Sequence, residues 1–281
     1  MHPLRLRELP GDRPRGPPAP RDRRKRSRHP ERGRDPRVSP RSFRLRLYAH
    51  RGASARSPEN TMPAFELALA DGANALELDV HRTADGHFVV SHDADGARTA
   101  GCPDRICEQP LERIRLWRVG ESVLPTLTEI LEAFPTTPLS IDLKPDDPDA
   151  VGPMLELLAA HRGEDRVTVA SFHDHLIRQV RRMGWQGRTA LTKIEVAALR
   201  FAPLVLSRRI VRGHAAQVPV RYGKVRLDQP SFLRRCRRLG IRADYWVVND
   251  RDEARKLLSA GATGVMSDDP AVILPVMKEF E

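Results

Sequence analysis

The chain has 281 residues, a length that allows one large domain or two small ones. Its formal net charge of +11 is concentrated in residues 1–44, which carry 15 Lys and Arg against 5 Asp and Glu, so the rest of the chain is close to neutral. The composition excludes collagen-like, coiled-coil and disulfide-scaffold classes, and the sequence contains no run of about eighteen apolar residues that would span a membrane.

The first 44 residues form a segment rich in Arg and Pro. They contain nine prolines and few aliphatic residues, so they bury too little apolar surface to offset the entropy of ordering. We therefore predict a disordered tail over residues 1–44. The simpler interpretation is an extension without a role of its own, and the alternative is weak contact between this basic block and anionic surfaces. No specific nucleic-acid partner is predicted.

Three cysteines, Cys102, Cys107 and Cys236, are an odd number and match no metal-ligand spacing. The start of the chain lacks the apolar segment of a secretory signal. We therefore expect reduced thiols in a cytoplasmic protein, with a disulfide between Cys102 and Cys107 as the alternative.

From residue 45 onward, short apolar strands alternate with helical segments, which is the pattern of a parallel α/β fold. Strands are predicted near residues 45–49, 74–80, 139–143, 167–171, 188–192, 216–220, 243–248 and 264–267. Helices are predicted at residues 61–71, 126–134, 149–162, 174–184, 194–202, 230–239, 251–260 and 270–280. Eight such units predict a single TIM (β/α)8 barrel over residues 45–281. A doubly wound open sheet is the alternative, which the lack of a glycine-rich phosphate loop after the first strand disfavours.

An extra strand at residues 87–93 follows the second strand too closely for a crossover helix. Asp85-Gly86 is typical of a two-residue type I′ turn, which predicts a β-hairpin excursion from the barrel. If residues 84 and 87 pair across this turn, the register of the two strands places Asp79 opposite His92. The hairpin would then return His92 to the mouth of the barrel.

Reactive groups of a TIM barrel lie at the carboxyl ends of its strands. The predicted strand ends and the returning hairpin carry imidazole, carboxylate and basic side chains: His50, Arg51, Glu77, Asp79, His92, Asp93, Asp142 and Lys144. Residues two apart on a strand project from the same face. We therefore expect the carboxylates of Glu77 and Asp79 to lie together, and Asp142 to lie beside Lys144.

Three of these carboxylates, Glu77, Asp79 and Asp142, repel one another unless a cation compensates their charge. Ligation by oxygen atoms alone indicates a hard ion, Mg²⁺ or Ca²⁺, rather than zinc. One divalent cation is therefore predicted as the cofactor.

Two histidines, His50 and His92, flank this predicted metal site. An imidazole titrates near neutral pH, which suits a general base and a general acid. Arg51 and Lys144 suit the binding of a phosphate group, Arg51 through its planar fork and Lys144 as a point charge. Together these groups predict metal-assisted attack on a phosphate ester.

Trp246 is predicted to line the substrate mouth, because an aromatic residue at the carboxyl end of a strand faces the pocket. Three further histidines receive no support from a strand end or a paired group. They are expected at the surface: His173, His175 and His214.

Five segments together are specific to one family. They are AHRGASARSPENTMPAF (49–65), GANALELDVHRTADGHFVVSHD (72–93), LPTLTEIL (124–131), SIDLKP (140–145) and YWVVND…GATGVMSDDP (245–270). Over residues 48 to 274 the chain resembles a glycerophosphodiester phosphodiesterase of the phospholipase C-like phosphodiesterase superfamily. Its substrate would be a small-molecule glycerophosphodiester.

The resemblance implies roles that agree with the reading of the residues. His50 matches the family's base and His92 its acid. The family's metal ligands match Glu77, Asp79 and Asp142. Its phosphate-binding cations match Arg51 and Lys144. Glu59, in the PENT segment, matches a position near the substrate, with a cap for the first helix as the alternative. The family usually has Glu where this chain has Asp142, and the shorter side chain requires the ion to shift or a water to intervene.

The resemblance thus implies metal-dependent hydrolysis of glycerophosphodiesters to glycerol 3-phosphate and an alcohol. One alternative is a lysophospholipase D-like lipid phosphodiesterase, in which residues 197–212 form a lipid-facing lid. The plainer interpretation of that segment is an amphipathic helix followed by a loop. The other alternative is a catalytically weak barrel whose tail binds anionic polymers. The alcohol and the oligomeric state are left open.

Overall fold

In the computed structural model of the protein, residues 43–281 are described. The predictions for residues 1–42, their disorder and their contacts with anionic surfaces, lie outside this part of the chain. Phe43 and Arg44, which the prediction placed in the tail, contact the barrel. The guanidinium of Arg242 donates to the carbonyl of Arg44 at 3.0 Å and lies 5.5 Å from the centre of the Phe43 ring.

Eight parallel strands form the centre of the fold. They are β1 (Arg46–His50), β2 (Ala75–Arg82), β3 (Leu139–Leu143), β4 (Val167–Ala170), β5 (Arg188–Thr189), β6 (Ala215–Val218), β7 (Arg242–Tyr245) and β8 (Gly264–Ser267). Pairing runs in chain order from β1 to β5 and from β6 to β8, and β8 pairs with β1. A parallel bridge between Ala190 and Ala215 joins the β5 and β6 segments. The strands therefore close, and the predicted TIM barrel is confirmed.

Helices surround the strands. They are α1 (Met62–Ala70), α2 (Leu127–Ala133), α3 (Val151–Ala160), α4 (Asp174–Arg182), α5 (Lys193–Phe201), α6 (Leu204–Ile210), α7 (Pro230–Arg238), α8 (Arg251–Ser259) and α9 (Pro270–Lys278). Threonines begin three of them. The hydroxyl of Thr61 caps α1, and Thr126 and Thr192 form capping boxes at the starts of α2 and α5, which satisfy amides that have no partner within the helix.

Short elements occupy the connections. The further strands are Phe88–Val90, Asp95–Gly96 paired with Cys102–Arg105, and Arg221–Tyr222 paired with Val225–Arg226. Single helical turns lie at Ala97–Ala100, Ile106–Glu108, Leu111–Ile114, Pro148–Ala150 and Gly163–Asp165. The apolar faces of the strands pack against the helices in two buried clusters, one around β1 to β4 and one around β6 to β8. The long loops therefore gather at the ends of a well-packed scaffold.

The predicted hairpin is confirmed, but its predicted register is wrong by one residue. In the antiparallel pair, Val80 of β2 lies opposite Val90. The amide of Ser91 donates to the carbonyl of Asp79 at 3.0 Å, so Ser91 takes the place predicted for His92.

The length of the hairpin loop explains the difference. Two hydrogen bonds join Thr83 and His87. The Thr83 amide donates to the His87 carbonyl at 2.8 Å, and the His87 amide donates to the Thr83 hydroxyl at 2.9 Å. Three residues therefore lie in the turn instead of two. Gly86, the last of them, has φ +91°, the positive value typical of such three-residue hairpin loops.

Residues 43–281 also bear on the predictions for the cysteines and for a membrane span. All three cysteines are free thiols, as predicted. In this part of the chain no helix combines the length and the apolar character needed to cross a bilayer.

Candidate active site

A cavity of about 450 Å³ opens at the carboxyl ends of the barrel strands. One side of it, called the polar wall below, consists of seven predicted residues: His50, Arg51, Glu77, Asp79, His92, Asp142 and Lys144. Trp246 lines the same cavity, whereas Glu59 does not. The structure thus brings eight of the nine predicted site residues together, although the segments that carry them are far apart in the chain. His173, His175 and His214 lie outside the cavity lining.

A tight turn presents the first two of these residues. His50 ends β1, and the chain then turns through Arg51 at φ +58° and Gly52 at φ +84°. A Cβ on Gly52 would lie 2.6 Å from the Cβ of Ala64 on α1, so only glycine allows the turn to pack so close to the helix. This packing fixes the direction in which His50 and Arg51 leave the strand.

His50 forms a dyad with Asp268, a residue that the sequence analysis did not select. The Nδ1 atom of His50 donates to Asp268 Oδ1 at 2.7 Å. Asp268 also accepts from the hydroxyl of Ser54 and from the side-chain amide of Asn249. With Nδ1 held in this way, Nε2 is the ring nitrogen that can exchange a proton with a ligand, and it lies 4.0 Å from Glu77 Oε2.

The dyad makes His50 a stronger base than an isolated imidazole. Burial acts to lower the pKa of His50, but the hydrogen bond to Asp268 and the negative charge of Glu77 outweigh it, so the pKa is raised above 6.5. Burial acts to raise the pKa of Asp268, but its hydrogen bonds to His50 and Asn249 lower it overall. Asp268 is therefore an ionised hydrogen-bond acceptor at neutral pH.

His92 forms the matching dyad with its neighbour Asp93. The Nδ1 atom of His92 donates to Asp93 Oδ1 at 2.7 Å, and the other carboxylate oxygen of Asp93 accepts from Nε of Arg98 at 2.6 Å. His81, buried behind the hairpin, donates from Nε2 to the carbonyl of His92 at 3.2 Å. Both histidines of the cavity are therefore oriented by a carboxylate.

Glu59 joins the two ends of the polar wall from outside the cavity. Its oxygens accept from both terminal nitrogens of Arg98 at 2.7 and 2.8 Å and from Arg51 Nη1 at 3.2 Å. The helix-cap role considered for Glu59 belongs to Thr61. An unbroken series of ion pairs thus runs from Asp93 through Arg98 and Glu59 to Arg51.

Asp79 is surrounded by cations and amides. Arg51 Nε lies 3.2 Å from its Oδ2 atom, Asn60 donates to the same oxygen at 3.1 Å, and Lys144 Nζ lies 2.9 Å from Oδ1. The same ammonium group lies 2.8 Å from Asp142 Oδ2. Burial acts to lower the pKa of Lys144, but the two carboxylates raise it overall, so the lysine is charged.

The surroundings of two carboxylates of the polar wall, Glu77 and Asp142, oppose their ionisation. Burial, followed by the charge of Asp79, raises the pKa of Glu77 to about 8. Burial also raises the pKa of Asp142, whose Oδ1 atom is buried and has no hydrogen-bond partner. A bare carboxylate oxygen beside carboxylates with raised pKa values fits a hard cation bound by oxygen atoms.

The three predicted ligands are not assembled into a finished metal site. Among residues 43–281 no group of three or more His, Cys, Asp and Glu side chains has an arrangement that would hold an ion. Lys144 lies between Asp79 and Asp142, where a shared ion would bind. The carboxylate oxygens of these residues are of the kind that binds a divalent cation. The ammonium group of Lys144 competes with such an ion for the oxygens of Asp79 and Asp142.

A second part of the cavity lining, called the apolar wall below, is formed by α5 and aromatic residues. Phe172, which follows β4, and Trp246, which follows β7, pack edge to face with ring centres 6.0 Å apart. The other members lie on one face of α5, at the end of β6, and in the segment between β6 and α7, called the β6 connection. They are Val196, Ala197, Phe201, Val218, Tyr222, Val225 and Leu227.

The apolar wall corrects the plainer interpretation of residues 197–212. The segment contains the end of α5 and all of α6 rather than a helix and a loop. Lys193, Val196, Ala197, Arg200 and Phe201 line the cavity at helical spacing. One face of α5 therefore belongs to the site itself.

Comparison with known proteins identifies the family. Residues 50–272 match the model of the glycerophosphoryl diester phosphodiesterase family. The chain belongs to this family. The resemblance inferred from the five segments is thereby confirmed, and the protein is a phosphodiesterase that hydrolyses glycerophosphodiesters.

Individual relatives cover nearly the same part of the phosphodiesterase. A glycerophosphodiester phosphodiesterase of Caldanaerobacter subterraneus is 26% identical over 83% of this chain and 98% of its own. The mouse lysophospholipase D GDPD1 is 25% identical over 85% of this chain and 88% of its own. The solved structure of an Oleispira antarctica phosphodiesterase in complex with the product sn-glycerol-3-phosphate has a TM-score of 0.73 at 22% identity, over 85% of this chain and 99% of that one. This last likeness confirms the fold.

Proposed function

We propose that this phosphodiesterase releases glycerol 3-phosphate and an alcohol from glycerophosphodiesters by acid–base catalysis between His50 and His92, with one divalent cation bound. The observation that carries the proposal is the pair of carboxylate-oriented histidines on one cavity with Arg51 and Lys144. Glycerol 3-phosphate is also the product bound to the Oleispira antarctica phosphodiesterase, which supports the choice of product.

The substrate phosphate binds to the cations of the polar wall. Arg51 and Lys144 both line the cavity, where their positive charges neutralise that of a phosphodiester. The ion pairs of Arg51 with Asp79 and Glu59 hold its guanidinium in place before the substrate arrives. The arrangement therefore needs little reorganisation as charge builds on the phosphate oxygens.

Glu77, Asp79 and Asp142 would hold the divalent cation, Mg²⁺ or Ca²⁺. When bound, this ion supplies further positive charge to the phosphate oxygens and compensates the buried carboxylates. Because Asp142 carries a bare oxygen, it contributes a ligand that no protein group has already taken.

The two histidines move the protons. His50 takes a proton on Nε2 from the attacking oxygen, while Asp268 stabilises the resulting imidazolium. If that oxygen belongs to water, glycerol 3-phosphate forms directly. If it belongs to the neighbouring glycerol hydroxyl, a cyclic glycerophosphate forms as the alcohol leaves, and water then opens the ring to give glycerol 3-phosphate. His92 gives a proton to the oxygen of the departing alcohol, and Asp93 holds its ring in position. The two roles follow the resemblance to the family, in which His50 matches the base and His92 the acid.

Release of glycerol 3-phosphate from a panel of glycerophosphodiesters tests the proposal. Glycerophosphocholine, glycerophosphoethanolamine and glycerophosphoglycerol are incubated with the full chain that has been stripped of metal and then supplied with Mg²⁺ or Ca²⁺. We expect glycerol 3-phosphate from at least one substrate with one of the two ions. Turnover that is equally fast after metal removal would contradict the role given to the carboxylates.

A second candidate function is hydrolysis of lysophospholipids, and the apolar wall favours it. Phe172, Phe201 and Tyr222 line the cavity yet remain at least half exposed, which suits contact with an acyl chain. The mouse relative is a lysophospholipase D. Rates on glycerophosphocholine and lysophosphatidylcholine, measured below the critical micelle concentration, separate the two candidates.

A further inference from the structure

Five large apolar side chains are exposed on α5, α6 and the β6 connection: Ile194, Phe201, Val205, Leu206 and Tyr222. Val205 is 69% exposed and Phe201 is 64% exposed, values unusual for such side chains in a water-facing helix. We call these five residues the rim patch.

Hydrogen bonds connect the elements that carry the rim patch. The hydroxyl of Ser207 on α6 donates to the carbonyl of Ala198 on α5 at 2.8 Å. Arg200 on α5 donates from Nε to the carbonyl of Arg226 in the β6 connection at 3.2 Å. Phe201 and Tyr222 also line the cavity, so the rim patch is continuous with the mouth.

The segment that carries the rim patch is basic. Residues 193–226 contain eight Lys and Arg and a single acidic residue, Glu195. Glu195 is buried and paired with Arg181, so it presents no negative charge to solvent. Among residues 43–281 several of the cations of this segment have no carboxylate partner: Lys193, Arg200, Arg208, Arg209, Arg221 and Lys224.

Exposed apolar side chains within a basic surface complement an anionic bilayer. The apolar groups enter the boundary between head groups and acyl chains, and the cations bind the lipid phosphates. An acidic protein would satisfy the cations but would leave Val205 and Leu206 without an apolar partner, and a second copy would bring like charges together. We propose that the rim patch docks this phosphodiesterase on anionic membranes, with the cavity mouth facing the lipid.

Sedimentation of the full chain with vesicles tests the docking. Vesicles of phosphatidylcholine alone are compared with vesicles of phosphatidylcholine and phosphatidylglycerol, and the bound fraction is measured against lipid concentration. Residues 1–42 are also basic and could bind the vesicles themselves. The test therefore compares the binding of full-length variants that all carry the same tail. We expect stronger binding to the vesicles that contain phosphatidylglycerol.

Two variants remove one contribution each, and each has a matched control. V205S/L206S removes apolar contact and should weaken binding about tenfold, since each side chain loses part of its transfer free energy. Its control is L116S/M183S, two exposed apolar residues outside the rim patch.

R208Q/R209Q removes charge near the end of α6 and should also weaken binding about tenfold. Its control is R237Q/R238Q, which changes two exposed arginines in the last turn of α7. Both control variants should bind as the unchanged chain does.

The proposal is overturned if V205S/L206S and R208Q/R209Q bind anionic vesicles as tightly as their controls, since the tail or another surface then accounts for the binding. It is also overturned if the unchanged chain is a dimer that V205S/L206S converts to a monomer without a change in vesicle binding. Release of glycerol 3-phosphate from glycerophosphocholine is measured on the same preparations. We expect it to be unchanged in all four variants, and its absence from the unchanged chain would count against the proposed function and not against the docking.

Discussion

The two walls of the cavity differ in what holds them together. Every residue of the polar wall has a charged partner within the site, and the ion pairs continue through Glu59 and Arg98 to the far side of His92. The apolar wall consists of aromatic and aliphatic groups on α5 and on loops that follow β4, β6 and β7. Under the proposed function, the polar wall carries out the chemistry, and the apolar wall contacts the alcohol or lipid.

The largest loss should follow removal of either imidazole from the polar wall. We expect His50→Ala and His92→Ala each to lower kcat on glycerophosphocholine by about 10² to 10⁴, the usual contribution of general acid–base catalysis. The control is His175→Ala, since His175 pairs with Asp146 outside the cavity. Normal turnover by His92→Ala would remove the acid assignment.

The apolar wall is anchored by one buried ion pair. Glu195 on α5 accepts from both terminal nitrogens of Arg181 and from backbone amides at Thr192, Arg212 and Gly213, so it ties α5 to α4, β5 and β6. Glu195→Gln leaves the Arg181 charge uncompensated and should lower the free energy of unfolding by about 3 kcal/mol at pH 7.

The same ion pair predicts a pH dependence of stability. Burial opposes ionisation of Glu195, but the hydrogen bonds and charge of Arg181 lower its pKa below the ordinary value of 4.5. A lowered folded pKa stabilises the native state above pH 4.5, and this contribution is lost as the pH falls through the folded value. Urea unfolding at pH 7 and pH 4 should therefore show a smaller pH effect for Glu195→Gln. Glu121→Gln, at an exposed glutamate that forms no ion pair in the described part of the chain, serves as control, and an equal pH effect in both variants would contradict the assignment.

Asp268 extends the polar wall to β8 and gives a prediction of intermediate size. Asp268→Asn keeps the size of the side chain but removes the negative charge that stabilises protonated His50, so kcat should fall about tenfold or more. Asp269→Asn is the matched control, because the neighbouring carboxylate pairs with Arg56 away from His50. Equal effects of the two substitutions would show that Asp268 does not act through His50.

A change in the apolar wall should have the smallest effect, and it should depend on the substrate. Phe201→Ser removes an exposed ring from α5 and should lower kcat/KM on lysophosphatidylcholine about fivefold, while glycerophosphocholine is hydrolysed as before. Phe280→Ser, a partly exposed ring near the end of the chain, is the control. Equal losses on both substrates would contradict the separation of the two walls.

Sequence reasoning reached the barrel because each strand is a short apolar run and the eight runs follow a regular alternation with helices. It reached the polar wall because strand ends meet at one edge of a barrel, so residues such as His50 and Lys144 are brought together by the topology alone. Neither inference needed a side-chain contact.

Sequence reasoning missed features that depend on particular side-chain contacts, some between residues far apart in the chain and some between near neighbours. Asp268 lies 218 positions after His50 and becomes its partner only when β8 closes against β1. The hairpin register depends on the hydroxyl of Thr83, which extends the turn to three residues. The course of α5 along the cavity mouth follows from its contacts with α6 and the β6 connection, which its own periodicity does not contain.

The most direct test of the central claim varies the leaving group for His92→Ala. Glycerophosphocholine has an alkoxide leaving group that needs a proton, whereas the nitrophenyl ester of glycerol 3-phosphate releases a phenolate that does not. If His92 is the acid, His92→Ala should lose about 10² or more on the first substrate and less than about tenfold on the second, with His50→Ala impaired on both. Equal losses of His92→Ala on the two substrates would contradict the mechanism.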